Sequence, residues 1–163
     1  MSPTLTQTFA SFGDTNWYAL APGETYNRFT ATGWVLTGGA RVVSTTLSDG
    51  TPSQVLDLPS GSTASSPLMC VTSDYPTARA MVRNVAGSAG VNVSVAYPTW
   101  GGSGIEQGTG IIRSATTAWS LSRSFQIVPG NQPGWQLAQF KLVATGTQSE
   151  YQLYNLYIDP RMT

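Results

Sequence analysis

The sequence predicts an all-β fold: an antiparallel β-sandwich, jelly-roll-like, of about ten short strands. Three observations carry this expectation. No segment longer than a few residues places its apolar side chains at helical spacing. Short alternating runs recur instead, each bounded by Gly, Pro, Asn, Asp or Ser. The chain has 163 residues, 40% of them apolar, which is enough for one core and too apolar for global disorder.

The first strand is expected over 16–20 and ends at the Pro22-Gly23 turn. Strands over 33–36 and 40–44 follow, with Gly38-Gly39 between them as a tight-turn signal. Ser48-Asp49-Gly50 turns the chain into a strand over 54–58, which stops at Pro59-Ser60-Gly61. The extended run 63–71 contains Pro67, so it belongs near an edge or at a bulge. In 77–85, Ala78, Ala80 and Val82 share one face and Arg79, Met81 and Arg83 the other. In 91–97, Val91, Val93, Val95 and Tyr97 point one way, against Asn92, Ser94 and Ala96. Beyond the flexible Gly101-Gly102-Ser103-Gly104 loop, strands are expected over 110–113, 119–127, 135–144 and 151–158. Residues 1–14 read as an extended N-terminal arm. No repeat or linker divides the rest, so 1–163 is one domain.

Composition excludes several classes of function. Only 10% of residues are charged, against roughly 25% in ordinary soluble domains. Net charge is zero, which leaves no electrostatic footprint for nucleic acid or an anionic membrane. No apolar run reaches the ~20 residues that span a bilayer. His is absent, and with it the commonest general base and transition-metal ligand. Cys70 is alone, so it closes no intrachain disulfide and builds no zinc site; a buried inert thiol is expected. The eight acids show no glycosidase-like setting, and no Gly-x-Ser-x-Gly elbow is present. The expectation is a protein that is not an enzyme and needs no cofactor. The N-terminal Met-Ser-Pro-Thr lacks the basic and apolar regions of a secretory signal. Either a signal has been replaced by a start Met or the route avoids Sec export.

Several segments carry a family likeness. They are Ala21-Pro22-Gly23, the run from Gly33-Trp34-Val35 to Arg41-Val42-Val43, Leu58-Pro59-Ser60-Gly61-Ser62 and Ser65-Ser66-Pro67-Leu68-Met69-Cys70-Val71. Tyr75-Pro76-Thr77-Ala78-Arg79, Arg83-Asn84 and Tyr157-Ile158-Asp159-Pro160 complete the set. In this order they resemble a family of small actinobacterial jelly-roll proteins of no assigned activity, related in shape to carbohydrate-binding modules. The resemblance implies the sandwich. It also implies a structural Ca²⁺ position between an early strand and the last one, which acidic residues fill in such modules. Here those places read Gly23-Glu24-Thr25-Tyr26-Asn27 and Leu153-Tyr154-Asn155-Leu156, so most of the acids are gone. Glu24, Asn155 and Asp159 would supply no more than a remnant.

Candidate binding residues follow from chemistry. An exposed aromatic ring stacks on the C–H face of a sugar while neighbouring amides fix its hydroxyls. Trp100 beside the Gly-rich loop, Trp135 with Asn131 and Gln132, and Trp17 after Asn16 fit that description. Trp34 and Trp119, each opening a strand, are assigned to the core. The last strand is apolar on both faces: Tyr151, Leu153, Asn155 and Tyr157 on one, Gln152, Tyr154, Leu156 and Ile158 on the other. Tyr151, Tyr154 and Tyr157, with Arg79 and Arg83, are therefore read as interface candidates. The leading functional expectation is a structural or binding module on a large assembly, such as a phage capsid-decoration or tail protein. Its partners would be protein subunits in a homo- or hetero-oligomer, and its place the virion surface. The alternative is a carbohydrate-binding module of a secreted or cell-surface protein, with a glycan as partner.

Overall fold

Two antiparallel sheets face each other across a core built from the alternating apolar positions of their strands. The computed structural model describes residues 4–72, 77–87, 90–97, 106–127 and 135–160. Along them run β1 (Ala19–Leu20), β2 (Glu24–Thr25), β3 (Arg28–Phe29), β4 (Val35–Thr37), β5 (Arg41–Thr46), β6 (Pro52–Pro59), β7 (Thr63–Ser65) and β8 (Met69–Val71). Then come β9 (Thr77–Ala86), β10 (Val91–Ala96), β11 (Glu106–Ile112), β12 (Ser120–Leu121), β13 (Phe125–Gln126), β14 (Gln136–Ala144) and β15 (Glu150–Asp159). The expected all-β sandwich is what forms. The strands outnumber the ten or so expected because Pro67 splits 63–71 into β7 and β8, 119–127 breaks into β12 and β13, and the hairpin of β2 and β3 was not expected.

The seven-stranded sheet has the order β12-β9-β15-β6-β5, with β1 also on β15 and β13 also on β9. The six-stranded sheet has the order β11-β10-β14-β7-β4, with β8 also on β14, and β2 and β3 make a separate hairpin. Most successive strands lie in opposite sheets, so the chain keeps crossing the sandwich, as in a jelly roll. Gly38-Gly39 is one such crossing. It links β4 and β5 of different sheets, where the sequence suggested a tight hairpin turn. Ser48-Asp49-Gly50 does make the β5–β6 hairpin, with Gly50 at φ 85°.

The inner faces match the alternation in the sequence. Val91, Val93 and Val95 of β10 and Ala138, Phe140 and Leu142 of β14 meet Ala78, Ala80 and Val82 of β9 and Leu56 and Leu58 of β6. Trp34 is buried as expected, its ring edge-on to Phe29 and its Nε1–H donating to the Pro22 carbonyl at 2.7 Å. A Cβ on Gly23, which has φ +81°, would lie 2.4 Å from the Trp34 ring, so glycine is required there.

Strand β15 differs from the regular alternation. Asn155 adopts φ 52° and the register with β9 shifts between Tyr154 and Tyr157. This bulge adds a residue, so Leu156 and Ile158 join Tyr151 and Leu153 in the core, while Gln152, Tyr154 and Tyr157 face outward. The segment expected as an extended arm is described from Thr4 onward and folds back. Thr6 pairs with Tyr18, residues 10–12 form a 3₁₀ turn, and Phe9 is buried against Tyr18 and Tyr157.

Candidate functional site

The outer face of the seven-stranded sheet carries an unusual density of aromatic and polar groups. Across its strands runs a polar row. Arg41 Nε lies 3.0 Å from Asp57 Oδ2. Gln152 Nε2 donates to Asp57 Oδ1 at 3.1 Å, and Arg83 Nε donates to Gln152 Oε1 at 2.8 Å. Arg83 Nη2 also donates to Thr45 Oγ1 at 2.8 Å, which ties β9 to β5 over the intervening strands. Glu150 joins the row: its hydrogen bond with Asp57 comes first and burial second in holding its carboxyl above the usual range.

Beside this row stands an apolar one, with Val43, Val55, Met81 and Tyr154. Trp119 lies over it. Its ring is edge-on to Tyr154 at 4.8 Å, the Arg83 guanidinium sits 4.8 Å from its centroid, and its Nε1–H donates to the Thr46 carbonyl at 2.8 Å. Trp119 thus packs on the outside of the sheet, whereas the sequence assigned it to the interior. The interior at that end is filled by smaller residues such as Val82.

Next to Tyr154 the face opens into a cleft of about 190 Å³. Met81, Tyr154 and Asn155 form its floor. The 3₁₀ turn contributes Phe12, the tip of the β2–β3 hairpin contributes Tyr26 and Asn27, and the β5–β6 turn contributes Ser48 and Asp49. Phe12 is 56% exposed and Tyr26 64% exposed, and they are among the few large apolar side chains that face solvent.

Each wall is fixed by hydrogen bonds, some within its turn and some to distant strands. The 3₁₀ turn ends at Gly13, with φ 83°, whose N–H donates to the Ala10 carbonyl. Asn27, at φ 61°, donates its N–H to Asn155 Oδ1 at 2.7 Å and accepts from Asn155 Nδ2 at 2.7 Å. The Asn27 carbonyl accepts from Ser53 Oγ at 2.7 Å. The hairpin bearing Tyr26 is therefore clamped to the bulge of β15. Asp49 Oδ1 accepts from Thr51 N–H at 3.0 Å and Thr51 Oγ1 at 2.6 Å, and these bonds hold its carboxyl below the usual range. Ser48 Oγ lies 3.0 Å from the Tyr154 hydroxyl.

The Ca²⁺ position implied by the family likeness can be tested on these residues. Glu24 is buried; its Oε1 accepts the Leu156 N–H at 2.8 Å, and Oε2 has no partner. The Asn155 side-chain amide and Asn27 Oδ1 are taken up by the bonds between the two residues, which leaves Asn27 Nδ2, a donor, outside them; no group of three acidic, His or Cys ligands occurs among the described residues. A shell of six to eight oxygens with one carboxylate and no free amide pair does not fit Ca²⁺. Burial, opposed only by backbone bonds from Leu156 and Asn155, raises the Glu24 carboxyl well above its ordinary range.

Of the residues singled out from the sequence, Trp100, Asn131 and Gln132 lie outside the described residues. Trp17 is 48% exposed and Trp135 is half-buried at the entry to β14; neither lines this cleft. Tyr151 is in the core. Tyr154 and Tyr157 face outward and are covered by the chain itself, Tyr154 under Trp119 and Tyr157 under Phe9. Arg79 is paired with Asp14 at 2.8 Å and donates to the Ser122 carbonyl, and Arg83 is held in the polar row. Cys70 is half-buried, and burial pushes its thiol up. Phe12, Tyr26 and Asp49 were not singled out. Each sits in a turn whose position depends on long-range bonds. The only local signal was an aromatic next to a turn residue, which is common.

No protein-family model matches the chain, and no curated protein matches it. Solved structures do. The CBM22-1 xylan-binding domain of Xyn10C from Paenibacillus barcinonensis is similar with a TM-score of 0.55 at 18% identity, over 80% of this chain and 88% of that one. The CBM22-1–GH10 modules of Xyn10B, an endo-1,4-beta-D-xylanase from Clostridium thermocellum, solved with xylohexaose, give 0.59 at 12% identity, over 88% of this chain and 28% of that one. The enzymatically active domain of tailspike protein 4 from bacteriophage CBA120 gives 0.52 at 13%, over 78% of this chain and 19% of that one. At these identities the likeness establishes the fold, the jelly-roll sandwich of carbohydrate-binding modules.

Proposed function

We propose that the chain is a non-catalytic carbohydrate-binding module that takes a glycan in the cleft between the Phe12 turn and the Tyr26 hairpin, outside the cell or at its surface. One observation carries this reading: two exposed aromatic rings rim a cleft that also presents hydroxyls, amides and a carboxylate beside the apolar Phe9 and Met81. Rings stack on sugar C–H faces, and Ser48, Asn27 and Asp49 supply hydrogen bonds to hydroxyls. The clamp between Asn27 and Asn155 fixes the Tyr26 hairpin before a ligand arrives, which lowers the ordering cost of binding.

The fold neighbours that bind xylan or were solved with a xylo-oligosaccharide point to β-linked polysaccharides as the first ligands to try. Binding without hydrolysis is supported by the two acids of the polar row: Asp57 and Glu150 both pair with Arg41, at 3.0 and 3.8 Å, and neither lines the cleft. One ground for the virion reading was a last strand left apolar on both sides, and that strand is covered by Phe9, Trp119 and their neighbours.

The test is affinity electrophoresis and calorimetry with xylan, mixed-linkage glucan and mannan. Wild type is expected to bind at least one, and Tyr26→Ala and Phe12→Ala each to weaken it about five- to tenfold, the value of one ring contact. Absence of retention by every polysaccharide, or full binding by the Phe12→Ala/Tyr26→Ala double variant, would overturn the assignment.

A further inference from the structure

A second cleft, of about 300 Å³, lies where the end of β11 meets the turn between β12 and β13. It shares no residue with the first. Its lining is Ile111, Ile112, Arg113, Ser122 and Arg123. Ser122 is buried and rigidly placed: its N–H donates to the Ala80 carbonyl, its Oγ accepts the Ala80 N–H, and its carbonyl accepts from Arg79 Nε. The stem of Arg113 runs beside Gly90, where an added Cβ would come within 3.0 Å of Arg113 Cγ and 2.7 Å of Ile111.

The other arginines described all have acceptors. Arg28 bonds Gln54, Arg41 pairs with Asp57, Arg79 with Asp14, and Arg83 with Gln152 and Thr45. Arg113 and Arg123, both exposed, have neither an ion pair nor a hydrogen-bond acceptor for their guanidinium groups among the described residues. Among the described residues, no acidic side chain lines the cleft they share. Two like charges lining one concavity repel each other, and an oxyanion placed between them relieves that repulsion with charge-assisted bonds. Ile111 gives the same concavity an apolar, partly exposed wall. That combination suits a sugar ring bearing a carboxylate better than a small inorganic anion, which would use the guanidinium groups alone.

We propose that Arg113 and Arg123 form an oxyanion site that takes an acidic sugar, a uronate, of the glycan bound by this module. The inference rests on the glycan-binding reading above, and its test separates the two. Wild type, Arg113→Gln, Arg123→Gln and the double variant are compared on polygalacturonate and glucuronate-substituted xylan, and on unsubstituted xylan, at low and high salt. Inorganic phosphate is titrated into each as a separate arm. Wild type is expected to bind the acidic polymers about tenfold more tightly than the neutral one at low salt. Each single variant should lose several-fold of that preference and the double variant all of it, with neutral-xylan affinity unchanged. Exposed Arg→Gln changes leave the fold intact, which circular dichroism checks. A preference that survives in the double variant overturns the site. So does neutral binding with no acidic preference in wild type, which leaves the glycan reading standing. Arginine-dependent phosphate binding without retention by acidic polymers overturns the sugar assignment. Failure to bind any polysaccharide overturns both proposals.

Discussion

Replacing Trp119 tests whether one side chain clamps the outer face of the larger sheet. Trp119→Ala removes three contacts: the bond from Nε1–H to the Thr46 carbonyl, the edge-on packing against Tyr154, and the Arg83 guanidinium over the ring. A hydrogen bond of this kind is worth about 1 kcal/mol net. An edge-on aromatic pair adds about 1 kcal/mol. A partly exposed cation–π contact adds ~0.5–1 kcal/mol. The sum, about 3 kcal/mol, matches the lower end of measured Trp→Ala costs, as a half-buried ring should. For a chain of this length that corresponds to a fall of about 6–12 °C in Tm. Trp119→Phe keeps an aromatic ring but loses the N–H bond and the pyrrole half of the indole, so about 1–2 kcal/mol is expected. Urea unfolding followed by far-UV circular dichroism measures both, with an unchanged m-value as the check that the unfolded state is the same. A double-mutant cycle with Arg83→Met should return a coupling of about 1 kcal/mol. Stability of Trp119→Ala within about 0.5 kcal/mol of wild type would refute the clamp.

Three further outcomes follow from the same geometry. Burial raises the Glu24 carboxyl above its ordinary 4.5, so the folded chain keeps a proton that the unfolded chain releases. Stability is then full below about 4.5 and declines as pH rises toward the folded value, so Glu24→Gln should be more stable than wild type at neutral pH. Parallel Tm–pH profiles for the two proteins, or a Tm lowered by EDTA, would contradict that account of the site. Asp14 shows the opposite sign: burial raises its carboxyl, but bonds from Tyr18, Arg79 and the Asn16 amide outweigh this and hold it below 3.8. Its contribution is present above that value and lost as pH falls through the folded one, so Asp14→Asn should flatten the acid limb of the Tm profile. Asn155→Ala loses both bonds to Asn27 and leaves a non-glycine residue without amide support at φ 52°, a loss of about 2–4 kcal/mol in urea unfolding. It should also weaken glycan binding, because the Tyr26 hairpin loses its anchor; unchanged affinity would separate the clamp from the cleft.

The inner faces of β9 and β10 were legible because side-chain direction in a strand has period two. Ala78, Ala80 and Val82, and Val91, Val93 and Val95, needed no more than the run itself to be placed. The last strand resisted the same rule. One residue, Asn155, turns to positive φ to bond Asn27, which lies 128 positions away. That bulge moves Leu156, Tyr157 and Ile158 to the faces opposite those the alternation assigned. Gly38-Gly39 could be read as a turn but not as a crossing between sheets, since a turn signal carries no information about which strand lies beside the next.

The sequence by itself determined the sandwich, through its short alternating runs, and the weakness of its charge, which left few ionic groups to hold a partner. Tertiary structure alone decided the clefts. Phe12, Tyr26 and Asp49 meet in one because three turns are brought over Tyr154, and Arg113 and Arg123 share another because β11 ends beside the β12–β13 turn. Local sequence sets which way a side chain points; proximity between turns depends on non-local strand pairing, which sequence periodicity does not encode.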